Sequence, residues 1–96
     1  MTTTEIVQTK RDEILRIAER HGARDVRVFG SVARGEATEN SDLDLLVSAD
    51  EEASPWFPAA LVAELERLLG RKVEVVTEDG LYWLLRRRIL QEARPL

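Results

Sequence analysis

Residues 42–47, Asp-Leu-Asp-Leu-Leu-Val, begin with alternating acidic and apolar side chains, and this pattern constrains the fold more than any other part of the chain. In a β-strand, residues i and i+2 project from the same face, about 6.7 Å apart along the backbone. Asp42 and Asp44 therefore share one face of a strand, while Leu43, Leu45 and Val47 lie on the opposite face. The segment predicts a sheet with one buried face and a pair of carboxylates on the other.

Helical and strand patterns alternate on both sides of this segment. Apolar residues at helical spacing predict a first helix over residues 4–20, with a capping box at Thr2 and Glu5 and with Gly22 just beyond its end. Alternating valines predict strands over residues 25–29 and 72–77. A single helical turn over residues 32–34 is expected after Gly30 and Ser31, followed by a polar loop.

Two further helices follow from leucine spacing. One is expected to begin at Ser54-Pro55 or at Pro58 and to end at Gly70, and a closing helix is expected over residues 79–93. The order is αβ(α)βαβα. It predicts an α/β (α+β) fold, in which helices flank a small mixed sheet of about three strands.

Length and composition exclude several classes of protein. With 96 residues, the chain is expected to form a single domain over residues 1–96. It contains no cysteine and a single histidine, His21, which excludes disulfides, thiolate zinc sites and two-histidine metal sites. No apolar run approaches the roughly 18 residues of a membrane span, and no signal peptide is visible, so a cytoplasmic protein with no membrane association is expected.

The charge is distributed evenly along the chain. The net charge is -4, and there is no basic tail of the kind that binds a nucleic-acid backbone. We therefore expect no direct binding to nucleic acid. The run Arg86-Arg87-Arg88 is either a solvated surface or a grip on an acidic partner or nucleotide, and the residues alone leave both open.

Acidic residues recur where a plain core would be apolar. Asp42 and Asp44 repel each other unless a cation lies between them, and hard oxygen ligands favour Mg²⁺ or Mn²⁺. Glu74 lies mid-strand between Val73 and Val75, so it joins the two aspartates if their strands are neighbours. Three carboxylates can hold two metal ions about 3.5–4 Å apart, an arrangement that assists phosphoryl chemistry.

Gly30 and Ser31 end a strand just before a helical turn. Such a turn presents free backbone N–H groups to an anion, Gly30 permits a close approach, and the Ser31 hydroxyl adds a donor. Arg34, one turn later, can reach the same anion. A phosphate-binding turn opposite a carboxylate cluster indicates transfer of a phosphoryl or nucleotidyl group.

Gly30-Ser31, ten intervening residues, and Asp42-Leu43-Asp44 together resemble the signature of the DNA polymerase beta superfamily of nucleotidyltransferases. The flanking stretches, residues 29–37 and 41–47, are similar to its minimal nucleotidyltransferases, the MntA-like antitoxins. The resemblance implies that Gly30 and Ser31 bind the triphosphate of ATP and that Asp42 and Asp44 ligate Mg²⁺. Glu74 occupies a position that is more often Asp in these proteins, so its role as metal ligand, as base or as neither stays open.

The resemblance also implies a partner. Members of this branch neutralise HEPN-domain ribonuclease toxins by transferring AMP from ATP to a toxin tyrosine, by forming a tight complex, or by both. We therefore expect a catalytic antitoxin, with a non-catalytic binding antitoxin as the alternative. A weaker alternative is transfer to a small molecule of the aminoglycoside type, although those enzymes generally carry an additional substrate domain.

The aromatic residues and the histidine are expected to be structural. Trp56 and Phe57 fit a hydrophobic staple for the helix that follows them better than an adenine or partner contact. Tyr82 and Trp83 are expected at the core and rim of the closing helix. His21 is expected to be the last polar residue of the first helix.

Overall fold

A computed structural model describes residues 1–51, 53 and 56–96 of the chain. Five helices and four strands occur in this part, in the order α1 (Thr3–Thr9), α2 (Arg11–Arg20), β1 (Ala23–Phe29), α3 (Gly30–Arg34), β2 (Leu43–Ala49), α4 (Ala59–Leu69), β3 (Val73–Thr77), α5 (Trp83–Glu92) and β4 (Arg94–Pro95). The expected mixed α/β architecture is confirmed.

The strands form one sheet in the order β3-β2-β1-β4. β1 runs antiparallel to both β2 and β4, whereas β2 and β3 are parallel. The parallel register pairs Leu43 with Val73, Asp44 with Glu74, and Leu45 with Val75. β2 therefore lies at the centre of the sheet, between the strand that precedes the glycine–serine turn and the strand that carries Glu74.

The main hydrophobic core lies on one face of this sheet, although Leu46 on the opposite face of β2 is also fully buried. Leu43, Leu45 and Val47 of β2 are fully buried, as the alternation predicted. α2 packs on β1, α4 packs on β3, and the two helices contact each other. Burying side chains of this size supplies about 1.5–3 kcal/mol each, so the covered face holds the strands in position.

The first helix is broken, which corrects the expectation of one helix over residues 4–20. α1 ends at Thr9 and α2 begins at Arg11, while Lys10 caps the end of the first and the start of the second. The Thr9 hydroxyl donates to the carbonyl of Glu5 at 2.9 Å, a bond that bends helices. The apolar spacing continues across the break, which is why the sequence did not reveal it. The predicted capping box at Thr2 and Glu5 is present.

The closing helix also begins later than expected, at Trp83 rather than at residue 79. The Gly80 amide donates to the carbonyl of Thr77 at 3.1 Å, so residues 77–80 form a turn. Glycine is a poor helix former, which explains the delay. Tyr82 and Trp83 are 58% and 73% exposed, so their expected place in the core and rim is wrong.

A fourth strand follows this helix. Arg94 and Pro95 pair with β1, and the Leu96 amide donates to the carbonyl of Val26 at 3.0 Å. The sequence predicted about three strands because two residues carry no alternation. Pro95 is compatible with its place because β4 is an edge strand.

The helix before β3 begins at Ala59, after Pro58, and ends before Gly70. The alternative start at Ser54-Pro55 lies outside the described residues. Phe57 packs against the core, as a staple would, whereas Trp56 is 78% exposed. None of the helices in residues 1–51 and 56–96 combines the length and the apolar character that a membrane span requires.

Candidate active site

The end of β1 and the start of β2 form one side of an open cleft of about 520 Å³. Five of the six predicted site residues line it, namely Gly30, Ser31, Arg34, Asp42 and Asp44. The sixth, Glu74, is beside Asp44 on the neighbouring strand. The structure thus brings together residues that are up to 44 positions apart in the chain.

Gly30 is required at its position for two reasons. Its φ of +71° lies in the left-handed region, where side chains are strained. A Cβ atom on this residue would lie only 2.2 Å from Oδ2 of Asp44. The Asp44 carboxylate therefore packs directly against the Gly30 backbone, and no larger residue fits between them.

The turn that follows has backbone donors available. α3 begins at Gly30, and Phe29 at its N-cap provides no side-chain hydrogen bond to the first amides. The first N–H groups of a helix have no partner within it. Ser31 adds a hydroxyl at the same place, and Gly35 ends the short helix in the left-handed conformation. This turn can therefore bind an anion by donating hydrogen bonds to it.

The acidic side of the cleft holds closely spaced charge. Burial, then the charges of Glu74 and Asp42, then a hydrogen bond with Glu74 raise the pKa of Asp44 from 3.8 to about 6, and Arg34 partly offsets this. Both flanking carboxylates therefore act on Asp44, as the strand geometry predicted. Among the described residues, however, no group of three or more His, Cys, Asp and Glu side chains is arranged to hold a metal ion.

Arg34 has carboxylate partners of its own. Its Nε lies 2.8 Å from Oε1 of Glu36, and its Nη1 lies 2.5 Å from Oε1 of Glu92 on α5. Glu92 first and Glu36 second raise the pKa of the guanidinium. The sequence placed Arg34 at the site but did not reveal either partner.

The opposite wall of the cleft was missed by sequence reasoning. It consists of α5 residues Leu85, Arg88, Ile89 and Glu92. Their i, i+3, i+4, i+7 spacing is a signal that they share one helix face, but nothing in the sequence shows what that face lies against. Asn40 and Ser41, from the polar loop before Asp42, also line the cleft.

His21 lies away from this cleft. It caps the end of α2, where its Nε2 is 3.0 Å from Oε1 of Glu64 on α4. It is not among the cleft residues. Its position matches the structural role expected from the sequence.

Comparisons with known proteins identify relatives of this chain. The pattern of the nucleotidyltransferase domain matches residues 11–96. The chain is 41% identical over 76 residues to the protein adenylyltransferase MntA of Thermococcus cleftensis, a match that covers 79% of this chain and 77% of that protein.

Two solved structures share the fold. A provisionally assigned minimal nucleotidyltransferase superimposes with a TM-score of 0.84 at 50% identity, covering 97% of this chain and 95% of the other. A chain in the structure of the tri-AMPylated Shewanella oneidensis HEPN toxin in complex with MNT antitoxin gives a TM-score of 0.69 at 17% identity, covering 92% and 69%. At that identity the second likeness concerns the fold alone.

Gly30→Ala is expected to destabilise the protein more than Gly35→Ala. Both glycines have positive φ, but a Cβ at Gly35 meets nothing within 4 Å, so Gly35→Ala measures backbone strain alone, about 1 kcal/mol. Gly30→Ala adds the clash with Asp44 and should cost about 2–4 kcal/mol. Urea unfolding of both variants measures the difference.

A double-mutant cycle isolates the clash. In an Asp44→Ala background, where the clashing oxygen is gone, the cost of Gly30→Ala should fall to that of Gly35→Ala. An unchanged cost in that background would contradict the contact between Gly30 and Asp44.

Asp44→Asn is expected to stabilise the protein at neutral pH. Because the pKa of Asp44 rises to about 6 on folding, the folded state binds its proton more tightly than the unfolded state does. Ionisation therefore lowers the free energy of unfolding as pH rises from about 4 to about 6. Removing the charge should recover on the order of 1–3 kcal/mol at pH 7.5 and little at pH 3.5.

Urea unfolding at the two pH values measures this gain. Glu19→Gln, which removes an exposed carboxylate from α2 outside the cleft, is the control for the change in net charge. Equal stability of Asp44→Asn and wild type at pH 7.5 would contradict the charge crowding described here.

Proposed function

This chain belongs to the nucleotidyltransferase domain family, and we propose that it transfers AMP from ATP to a tyrosine hydroxyl of a HEPN-type ribonuclease toxin. It acts in the cytoplasm as the antitoxin of that pair. The observation that carries the proposal is the cleft that Gly30, Ser31, Asp42 and Asp44 line together. The related MntA protein is named for adenylyl transfer, which supports AMP as the transferred group.

The reaction is a displacement at the α-phosphorus of ATP. The acceptor oxygen forms a bond to this phosphorus, the bond between the α-phosphorus and the bridging oxygen breaks, and pyrophosphate leaves with that electron pair. The tyrosine proton passes to a carboxylate. Glu74 is suited to accept it, because it is exposed on β3 beside Asp44 and so within reach of an acceptor that arrives from outside.

Asp42 and Asp44 are proposed to hold Mg²⁺, or Mn²⁺, with two ions when ATP is bound. Mg²⁺ is usually bound by one or two carboxylates together with substrate phosphates rather than by a complete protein cage. A pair of aspartates without a preformed cluster of three ligands fits that mode of Mg²⁺ binding. The raised pKa of Asp44, which burial and then the charges of Glu74 and Asp42 produce, also fits, since a cation at this place would offset the repulsion among these carboxylates. When bound, the metal neutralises phosphate charge.

The residues of the turn beside these aspartates, together with Arg34, are proposed to hold the triphosphate. The amides at the start of α3 and the Ser31 hydroxyl donate to phosphate oxygens, and Gly30 permits their close approach. Arg34 joins them by exchanging one of its carboxylates, Glu36 or Glu92, for a phosphate. The guanidinium keeps its charge throughout because an arginine side chain is not deprotonated near neutral pH.

An exposed apolar surface beside the cleft supports a protein acceptor. Tyr82, Trp83, Leu84 and Leu85 are between 48% and 73% exposed, and Leu85 also lines the cleft. Four adjacent large apolar residues are uncommon on a free surface and mark interaction sites. A protein seated on this surface would bring its tyrosine to the mouth of the cleft.

The same surface favours a second candidate function, which is neutralisation of the toxin by binding alone. In that case the cleft is not used, and Arg34 stays paired with Glu36 and Glu92. The two functions differ in whether the toxin remains inactive after the antitoxin has been removed.

Incubation of the chain with Mg²⁺, labelled ATP and the proposed HEPN-type toxin partner tests the proposal. Label at the α-phosphate should reach the toxin, label at the γ-phosphate should not, and mass spectrometry should place AMP on tyrosine. Asp42→Asn with Asp44→Asn should slow transfer on the order of 100-fold or more, since these groups act on charge that develops in the transition state.

The alternative is distinguished by separating the two proteins afterwards. Toxin treated with wild-type chain should stay inactive as a ribonuclease, whereas toxin treated with the double variant should recover. Full recovery after wild-type treatment, or equal labelling by the double variant, would reject catalysis and leave inhibition by binding.

Trp83→Ser is expected to weaken binding of the toxin by about 10-fold or more, because exposed aromatic residues at the centre of an interface carry much of its energy. Its ATP affinity should stay unchanged, since Trp83 is not a cleft residue. Trp56→Ser, at an exposed tryptophan outside α5, is the matched control. Biolayer interferometry with immobilised toxin measures both, and equal weakening by the two variants would reject the α5 surface.

A further inference from the structure

α5 presents one face to the nucleotide cleft and another to solvent. Leu85, Arg88, Ile89 and Glu92 line the cleft, and their spacing places them on a single side of the helix. Arg87 is turned about 100° away from Arg88 around the axis and is not a cleft residue. The helix thus supplies adjacent arginines of which only one lines the cleft.

The charges that line the cleft are unevenly partnered. Two cations, Arg34 and Arg88, and three carboxylates, Asp42, Asp44 and Glu92, line it. Arg34 is bound to Glu92 within the cleft and to Glu36 outside it. Arg88 is exposed, and within the described part of the chain no carboxylate lies at ion-pair distance from it.

With three carboxylates and two arginines, the cleft has little free positive charge to offer an anionic ligand. A nucleoside triphosphate is strongly anionic, and Arg34 must give up a carboxylate before it can bind one. Arg88 can bind at once, because its guanidinium has no carboxylate to release. A guanidinium also offers paired donors that match two phosphate oxygens.

We propose that Arg88 is a nucleotide-binding residue that completes the triphosphate site from α5, opposite the turn at Gly30 and Ser31. The proposal rests on the proposed function, since it assigns a residue to the same nucleotide. It assigns Arg88 to the polyphosphate rather than to the base. The wall of the cleft formed by α5 is then part of the binding site.

Titration calorimetry with ATP and with AMP, each in the presence of Mg²⁺, tests this assignment on the full chain. Arg88→Ala should raise the dissociation constant for ATP by about 10-fold or more, the effect of a lost charge-assisted hydrogen bond. The constant for AMP, which lacks the β- and γ-phosphates, should rise by less than about threefold. Arg88→Lys keeps the charge but not the paired donors and should fall between Arg88→Ala and wild type.

Arg87→Ala is the matched control, with the same change in net charge on the same helix. It should leave both constants within about twofold of wild type, since an exposed surface charge contributes little. Thermal unfolding of the two alanine variants should agree, because both side chains are exposed. A loss of ATP affinity in Arg88→Ala with an unchanged melting temperature supports a binding role.

Three results would overturn the assignment. Equal ATP affinity of Arg88→Ala and Arg87→Ala would remove Arg88 from the site and leave the proposed function intact. Equal losses for ATP and AMP would assign Arg88 to the nucleoside or α-phosphate instead. Failure of wild-type chain to bind ATP at all would reject the nucleotide site itself, and with it the proposed function.

Discussion

The Asp44 carboxylate packs against the bare backbone of Gly30, and the organisation of the cleft depends on this contact. It brings the acidic end of β2 beside the turn into α3, so the amides proposed to bind phosphate and the oxygens proposed to bind a cation are neighbours in one cleft. A side chain at Gly30 would force the two apart. The left-handed conformation of Gly30 turns the chain from the strand into the helix at the same point. Gly30 thus determines both how closely the Asp44 carboxylate approaches the turn and in which direction the chain leaves β1.

Placing the Asp44 carboxylate here costs free energy, and the rest of the fold has to hold it in place. Burial and the neighbouring acids raise the pKa of Asp44 to about 6, which means that its ionised form is disfavoured where it lies. The opposite face of β2 balances this, because Leu43, Leu45 and Val47 are fully buried against the helical layer. A strand anchored on one face can carry repelling charges on the other. The different roles of the two faces of β2 are visible in the sequence pattern of residues 42–47.

That alternation also explains how much could be predicted from the sequence. A period of two identifies strand faces directly, so the buried Leu43 and Leu45 and the position of the glycine–serine turn followed from local patterns. The place of Glu74 beside Asp44 was expected only on the condition that their strands are neighbours, which the parallel pairing of β2 and β3 fulfils. The break at Lys10 did not follow, because a side-chain hydrogen bond from Thr9 leaves the helical spacing intact. The strand at residues 94 and 95 did not follow either, because two residues cannot show alternation and their pairing with β1 is a tertiary event.

The position of α5 was the feature that the sequence predicted least well, and the reason is physical. The sequence of α5 has leucines at helical spacing, which normally predict a buried stripe, yet none of its residues is buried. Leu84 and Leu85 are exposed, the face that carries Leu85 lines the open cleft, and Glu92 of this helix pairs with Arg34 of α3. A pattern that counts apolar residues cannot distinguish a helix that covers a core from one that bounds a cleft and leaves its apolar residues available to another molecule.

The charges of the cleft indicate that the proposed nucleotide binding would need cations from outside the chain. Asp42, Asp44 and Glu92 oppose Arg34 and Arg88, so the cleft presents no excess of positive charge to a triphosphate, and the whole chain carries a net charge of -4. Electrostatic attraction of free ATP by the protein as a whole is therefore weak. Divalent cations that arrive with ATP would change the sign of the balance on the acidic side, leaving the arginines for the phosphates. On the proposed function, the crowded carboxylates would disfavour the empty cleft and favour the one that holds ATP and its cations.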